Sequence, residues 1–216
     1  MNVPMSQSEI GQPSRNGWIG IIAVVAVFAA MVVNSKVVKI GSADDQEKKV
    51  FSKEVYGAAE FPNVQKYVVE HAVDSKILAD AIAADSKEAG QKYGVPTSVG
   101  SVIPVMFIGI AGESTSGVYN VKVDGIPDDI IVRVQTGPAI NGTDLRDATG
   151  KIEFGQFTNQ IEYQDAGTAI NNELKKNVLS TIDNSNLAGK KLKVTGAFKL
   201  INPKGWLVTP VKLSVE

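Results

Sequence analysis

Apolar residues are spaced in three ways along this chain. From Asn16 to Ser35 they run on without a single charge, and the heart of the segment reads WIGIIAVVAVFAAMVV. A helix of that length rises about 30 Å, enough to cross the hydrocarbon core of a bilayer. From Pro62 to Gly94 the apolar positions recur at helical spacing. Pro62 is suited to open a first helix, with Val64, Tyr67, Val68, His71 and Ala72 on one face. Asp74 is placed to cap a continuation carrying Ile77, Leu78, Ala81 and Ile82. Asp85 to Glu88 has capping-box form, and the short helix it starts should stop at Gly94, ahead of Pro96.

From Val102 the spacing changes to that of strands. VIPVMFIGIAGE is apolar and rich in branched residues. GVYNVKVDG puts Tyr119, Val121 and Val123 on one face, and DIIVRVQTG does the same for Ile130, Val132 and Val134. The intervening DGIPDD has the Gly and Pro of a hairpin connection. A helix follows, with Ala166, Ile170, Leu174, Val178 and Ile182 at intervals of four and Lys175 and Lys176 outside. Two strands close the chain. Leu192, Val194, Phe198 and Leu200 point inward from the first, against Lys193, Thr195 and Lys199. Val211, Leu213 and Val215 share a side of the second, where Pro210 marks an edge or a bulge.

The order is three strands, one helix, two strands. It predicts an α+β chain with an OB-like five-stranded β-barrel, the helix lying between the third and fourth strands. An open α+β sheet is the rival arrangement. The whole divides into a disordered tail (1–15), a transmembrane segment (16–35), a linker (36–50) with a short strand at Val37 to Ile40, a helical segment (51–95) and the barrel domain (96–216). The apolar run exceeds the usual core of a signal peptide, and the positions around Ala29 and Ala30 are poor cleavage sites. A retained anchor is therefore favoured over a cleaved signal. Lys36, Lys39, Lys48 and Lys49 follow the span and only Arg15 precedes it, so a plain positive-inside count puts the domain in the cytoplasm.

Composition narrows the chemistry. The 216 residues carry 22 Lys and Arg against 23 Asp and Glu, which argues against phosphate-neutralising nucleic-acid binding. There is no cysteine and one histidine, His71, read as a packed core residue. Thiolate sites, imidazole metal sites and Ser-His-Asp chemistry lack their materials. No catalytic residue, metal or cofactor is expected, and the chain is read as no enzyme.

The most unusual stretch is Gly137 to Tyr163, GPAINGTDLRDATGKIEFGQFTNQIEY. Asn141-Gly142 is a turn pair, and Thr143 or Asp144 can cap a short helical turn through Arg146. Two readings compete. In one the loop satisfies itself, with Arg146 paired to Asp144, Asp147 or Glu162. In the other Asn141, Thr143, Asp144, Arg146, Asn159 and Gln160 form a polar rim for sugar hydroxyls or a carboxylate, or for a partner protein. The first is the working expectation, because loops of this composition commonly close on their own backbone.

VVKIG, AGQKYG, GPAINGTDLRDA, FTNQIEY and KVTGAFKL…TPVKLSV, in that order, resemble an uncharacterised bacterial family of predicted periplasmic lipoproteins, a domain of unknown function. Such proteins are often encoded beside sugar ABC transporter genes. The resemblance covers Lys36 to the end. It implies a domain outside the cytoplasmic membrane, with Arg15 inside, against the lysine count. It also implies partnership with a transporter permease or a sugar-binding protein. Where relatives carry an acylated cysteine, this chain reads VVNSKVVKIG, with Asn34 and Ser35. The apolar segment is expected to anchor the protein in place of the lipid. The resulting expectation is a single-pass inner-membrane accessory protein. The alternative is a periplasmic binding module for a small polar ligand or glycan.

Overall fold

The computed structural model describes residues 24–31 and 51–216. Two compact units divide at Val50 and Phe51. Of the first, only a helical stretch at 24–31 is described, with Val24, Val25, Val27, Phe28 and Met31 more than half exposed. No helix among the described residues is long and apolar enough to cross a membrane. The tail, most of the 16–35 segment and the linker with its strand at Val37 to Ile40 lie outside the described residues.

The second unit is a mixed α+β domain. Its elements are α1 (Lys53–His71), β1 (Val73–Asp74), α2 (Ser75–Ala84), α3 (Ser86–Tyr93), β2 (Val95–Pro96), β3 (Ser101–Thr115), β4 (Val118–Val123), β5 (Ile131–Gln135), α4 (Asp144–Asp147), α5 (Gln160–Asn177), β6 (Lys191–Leu200) and β7 (Gly205–Val215). Short 3-10 turns lie at Phe154–Gln156 and Leu179–Thr181. The long strands pair in the order β3-β4-β5-β7-β6, and β6 pairs back onto β3. The circuit is antiparallel except at β5 and β7, which run parallel from Ile131↔Gly205 to Val134↔Val208. Strand β3 is long enough to serve two neighbours: all of Ser101 to Ile110 pairs with β6, and Gly109 to Thr115 pairs with β4. At Gly109 the backbone of β4 comes so close that an added Cβ would sit 2.5 Å from the Lys122 carbonyl oxygen.

The strand faces follow their alternation. Tyr119, Val121, Val123, Val132, Val134, Leu192, Val194 and Phe198 are all buried, and Phe198 stacks on the fully buried Trp206 at 5.0 Å. Pro210 sits at a bulge, where the pairing skips a residue between Thr195 and Gly196. Helix α5 lies between the third and fourth long strands and buries Ala166, Ile170 and Leu174. Val178 is buried just past its end, whereas Ile182 lies beyond the 3-10 turn and is only half-buried.

Three helical expectations need correction. Helix α1 begins at Lys53, capped by Ser52, and Pro62 lies inside it rather than at its start. The helix survives because Pro62 and Ala58 are on the exposed side, where water can serve the carbonyl that proline leaves without a donor. His71 is exposed, not packed: its ring stacks on Tyr67 at 4.0 Å and Nδ1 donates to the Tyr67 carbonyl at 2.8 Å. Ile77 faces solvent at 55% exposure, while its neighbours Leu78, Ala79 and Ile82 enter the core. The caps at Asp74 and Asp85 form as expected, each carboxylate accepting from the backbone of the next turn.

Candidate functional site

The stretch Gly137 to Tyr163 leaves β5, makes the single turn α4 and enters α5. Its first half is tied down through its backbone. The buried Gln135 side chain accepts from the Asn141 N–H and donates to the Asn141 carbonyl, both at 3.1 Å, and also donates to the Thr209 hydroxyl at 2.8 Å. Asn171, on α5, donates to the Gly142 carbonyl at 3.0 Å. The Asn141 side chain is left on the exposed surface.

Helix α4 then forms a buried ionic cluster. Thr143 precedes it, but its hydroxyl donates to Asp147 at 2.8 Å rather than capping the turn. Arg146 is only 6% exposed. Its Nε and one terminal nitrogen both reach Oδ1 of Asp147 at 2.8 Å, and the other donates to the Tyr163 carbonyl at 3.1 Å. The guanidinium carbon lies over the Tyr163 ring, 3.7 Å from its centroid. Lys199, from β6, reaches Oδ2 of Asp147 at 3.3 Å and lies 4.0 Å from Asp144. Two cations thus face two carboxylates in a site shielded from water.

Asp144 has the weaker share of that pairing. Burial pushes its carboxyl up to about 6, with Lys199 opposing and Asp147 adding to the rise. Close by, burial and Glu60 push the Tyr56 hydroxyl up to about 12, with Arg146 opposing.

The second half of the stretch is different in character. Asn159 caps α5, accepting from the Glu162 N–H at 2.9 Å, while Glu162 accepts from the Thr158 N–H at 2.9 Å. Gln160 is exposed. The six candidate residues therefore divide. Thr143, Asp144 and Arg146 come together inside the domain, Asn141 and Gln160 stand on its surface, and Asn159 serves the helix end. Of the partners considered for Arg146, Asp147 is the one it takes. The residues missing from the expectation are Lys199, Gln135, Asn171 and Tyr163, each brought in by tertiary structure. Lys199 looks in sequence like any outward strand lysine.

Chemically the cluster is a lock. Among the described residues there is no group of three His, Asp or Glu side chains able to hold a metal ion. A groove of ≈ 510 Å³ lies elsewhere, on the outer face of β3 to β5, against Ile110, Asn120, Lys122, Ile126, Asp128 and Ile131.

No curated protein matches the sequence. A crystal structure of an OB-fold protein from Thermotoga maritima is similar to it, with a TM-score of 0.61 and 19% identity over 78% of this chain and 100% of that one. At that identity the likeness is one of fold, and it agrees with the strand order and with the helix between the third and fourth strands. Residues 21–214 match the model of the predicted periplasmic lipoprotein family (DUF2291), and the chain belongs to that family.

Proposed function

We propose that this chain is a non-catalytic accessory protein, anchored in the inner membrane by residues 16–35 with its domain in the periplasm. It works by contact with the permease or the sugar-binding protein of a sugar ABC transport system, and not with nucleic acid. The observation that carries this reading is the internal closure of the most polar stretch. Arg146, Asp147 and Lys199 are taken up by one another rather than held open for a ligand. Membership of a periplasmic lipoprotein family supports the compartment. With no cysteine to acylate, an uncut apolar helix is the anchor the sequence offers, and it holds more firmly than one acyl chain. The test is cross-linking in native membranes, then purification of the full chain and mass spectrometry. Recovery of a sugar permease or binding protein is the expected result. Recovery of the chain alone, or with unrelated proteins only, sinks the transport assignment.

The outer groove on β3 to β5 favours a second reading, a binding module for a small polar ligand or glycan. Its isoleucines offer an apolar floor and Asn120, Lys122 and Asp128 offer hydrogen bonds, the mixture small-molecule sites use. This reading moves the ligand away from Arg146. Thermal shift of the full chain against a panel of sugars checks it: a stabilising sugar whose effect Asn120→Ala abolishes supports it, and a flat panel removes it.

A further inference from the structure

One end of the domain is built of aromatic rings. Phe51 lies 5.2 Å from Tyr56 and 5.8 Å from Phe157, centroid to centroid. Tyr56 is 5.6 Å from Phe157, which is 5.4 Å from Tyr163, and Tyr163 is 5.7 Å from Phe154. Tyr163, between Phe157 and Phe154 in this chain of rings, also meets the Arg146 guanidinium. Helices α1 and α5 start together here and run in the same direction: Lys53 pairs with Asp165 at 2.8 Å, and Gly57 lies against Ala169. Around the rings three large apolar side chains stand in solvent: Val55 at 71% exposure, Phe154 at 50% and Ile161 at 72%. Asn159 and Gln160, next to Ile161 in the chain, are exposed as well.

We propose that this end of the domain docks on the bilayer that holds the anchor, with Val55, Phe154 and Ile161 entering the interfacial layer. The proposal rests on the membrane-anchored reading given above. What selects a lipid surface as the occupant is where the chain enters. Phe51 is both the first residue of the domain and a member of the ring cluster. The 15 residues from Lys36 to Val50 that join it to the apolar segment span at most about 50 Å when fully extended. The patch is thus held permanently within reach of a bilayer, at an effective concentration on the order of millimolar, so a weak interfacial affinity suffices. Its chemistry suits that layer. Aromatic rings with a polar tip, such as Tyr56 and Tyr163, favour the boundary between hydrocarbon and water. The exposed amides of Asn159 and Gln160 suit the headgroup level.

The lack of cysteine makes the test direct, because each introduced thiol is the single labelling site. Full-length Val55→Cys, Phe154→Cys and Ile161→Cys are labelled with a polarity-sensitive fluorophore. They are then reconstituted into phosphatidylethanolamine–phosphatidylglycerol vesicles, with Ser98→Cys and Asp128→Cys as exposed reference sites. The expected result is blue-shifted emission at the three patch sites, quenched by spin labels carried on the lipid chains, with water-like emission at the references. Water-like emission at the patch in a chain that stays with the vesicles overturns the docking and leaves the anchor standing. A blue shift that lipid-borne spin labels do not quench shows that a protein surface, such as a second copy, covers the patch, and also overturns it. A chain that leaves the vesicles in carbonate overturns both the anchor and the docking.

Discussion

At the scale of single residues, the α4 cluster makes opposite predictions for neighbouring positions. Arg146 and Asp147 are a buried pair, and removing one partner strands the other. Arg146→Ala should destabilise the domain by about 3 kcal/mol, near the lower end for such sites because Lys199 still reaches Asp147. Chemical denaturation checks it, and an unchanged midpoint would show that the pair contributes nothing. Arg146→Lys should not restore the loss, since an ammonium cannot sit over Tyr163 and also supply both contacts to Asp147 and the one to the Tyr163 carbonyl. Asp144 behaves the other way. Its folded carboxyl is raised from 3.8 to about 6, so the folded state binds the proton more tightly than the unfolded one. Ionising this group therefore costs stability above pH 6, and the cost disappears as pH falls towards 4. Asp144→Asn should stabilise the domain at pH 8 by no more than about 3 kcal/mol, with the gain fading to nothing near pH 4. A gain that is independent of pH, or a loss at pH 8, would remove burial of the charged carboxylate as the cause.

At the scale of elements, periodicity made the strands readable and long-range contacts made the loop unreadable. Tyr119, Val121 and Val123 alternate with polar residues because one face of β4 is core and the other water, and that contrast is written into neighbouring letters. Helix α1 shows the limit of the same reasoning. Pro62 is a strong local signal for a helix start, yet Phe61, Val64 and Val68 are buried and extend a stripe that starts at Gly57, before the proline. Tertiary burial outweighs the local preference. The loop's self-closure was foreseeable in kind, since Asp147 stands next to Arg146. Lys199 was not, because it arrives from a strand 52 positions later. Packing between elements also carries a prediction. A Cβ at Gly57 would stand 2.6 Å from the Ala169 carbonyl oxygen, on backbone that cannot turn aside. Gly57→Ala should push α1 off α5 and cost about 1–3 kcal/mol despite its better helix propensity. An unchanged or raised melting temperature would show that the two helices are free to separate.

At the scale of the whole molecule, the fold and the location have different sources in the sequence. Strand order alone pointed to the OB arrangement, and the similar Thermotoga maritima structure carries it at 19% identity, so the arrangement tolerates nearly complete change of residues. Location has no such redundancy. For the anchored protein proposed above, it rests on one apolar segment and on the side to which its flanks are drawn. Lys36, Lys39, Lys48 and Lys49 against Arg15 favour a cytoplasmic domain, while membership of a periplasmic lipoprotein family favours the opposite face. The conflict can be resolved in intact cells. Asp128→Cys, on the exposed loop between β4 and β5, provides a single thiol in a chain that otherwise has none. A maleimide that cannot cross the inner membrane should label it once the outer membrane is permeabilised. A thiol that reacts only after the inner membrane is broken would put the domain in the cytoplasm and make the lysine count the better guide. The labelled chain should also sediment with membranes through a carbonate wash and keep its first residues. A soluble labelled chain beginning near Ala30 would mean that export is right and the anchor wrong, and the domain would then reach its partners by diffusion instead of by tether.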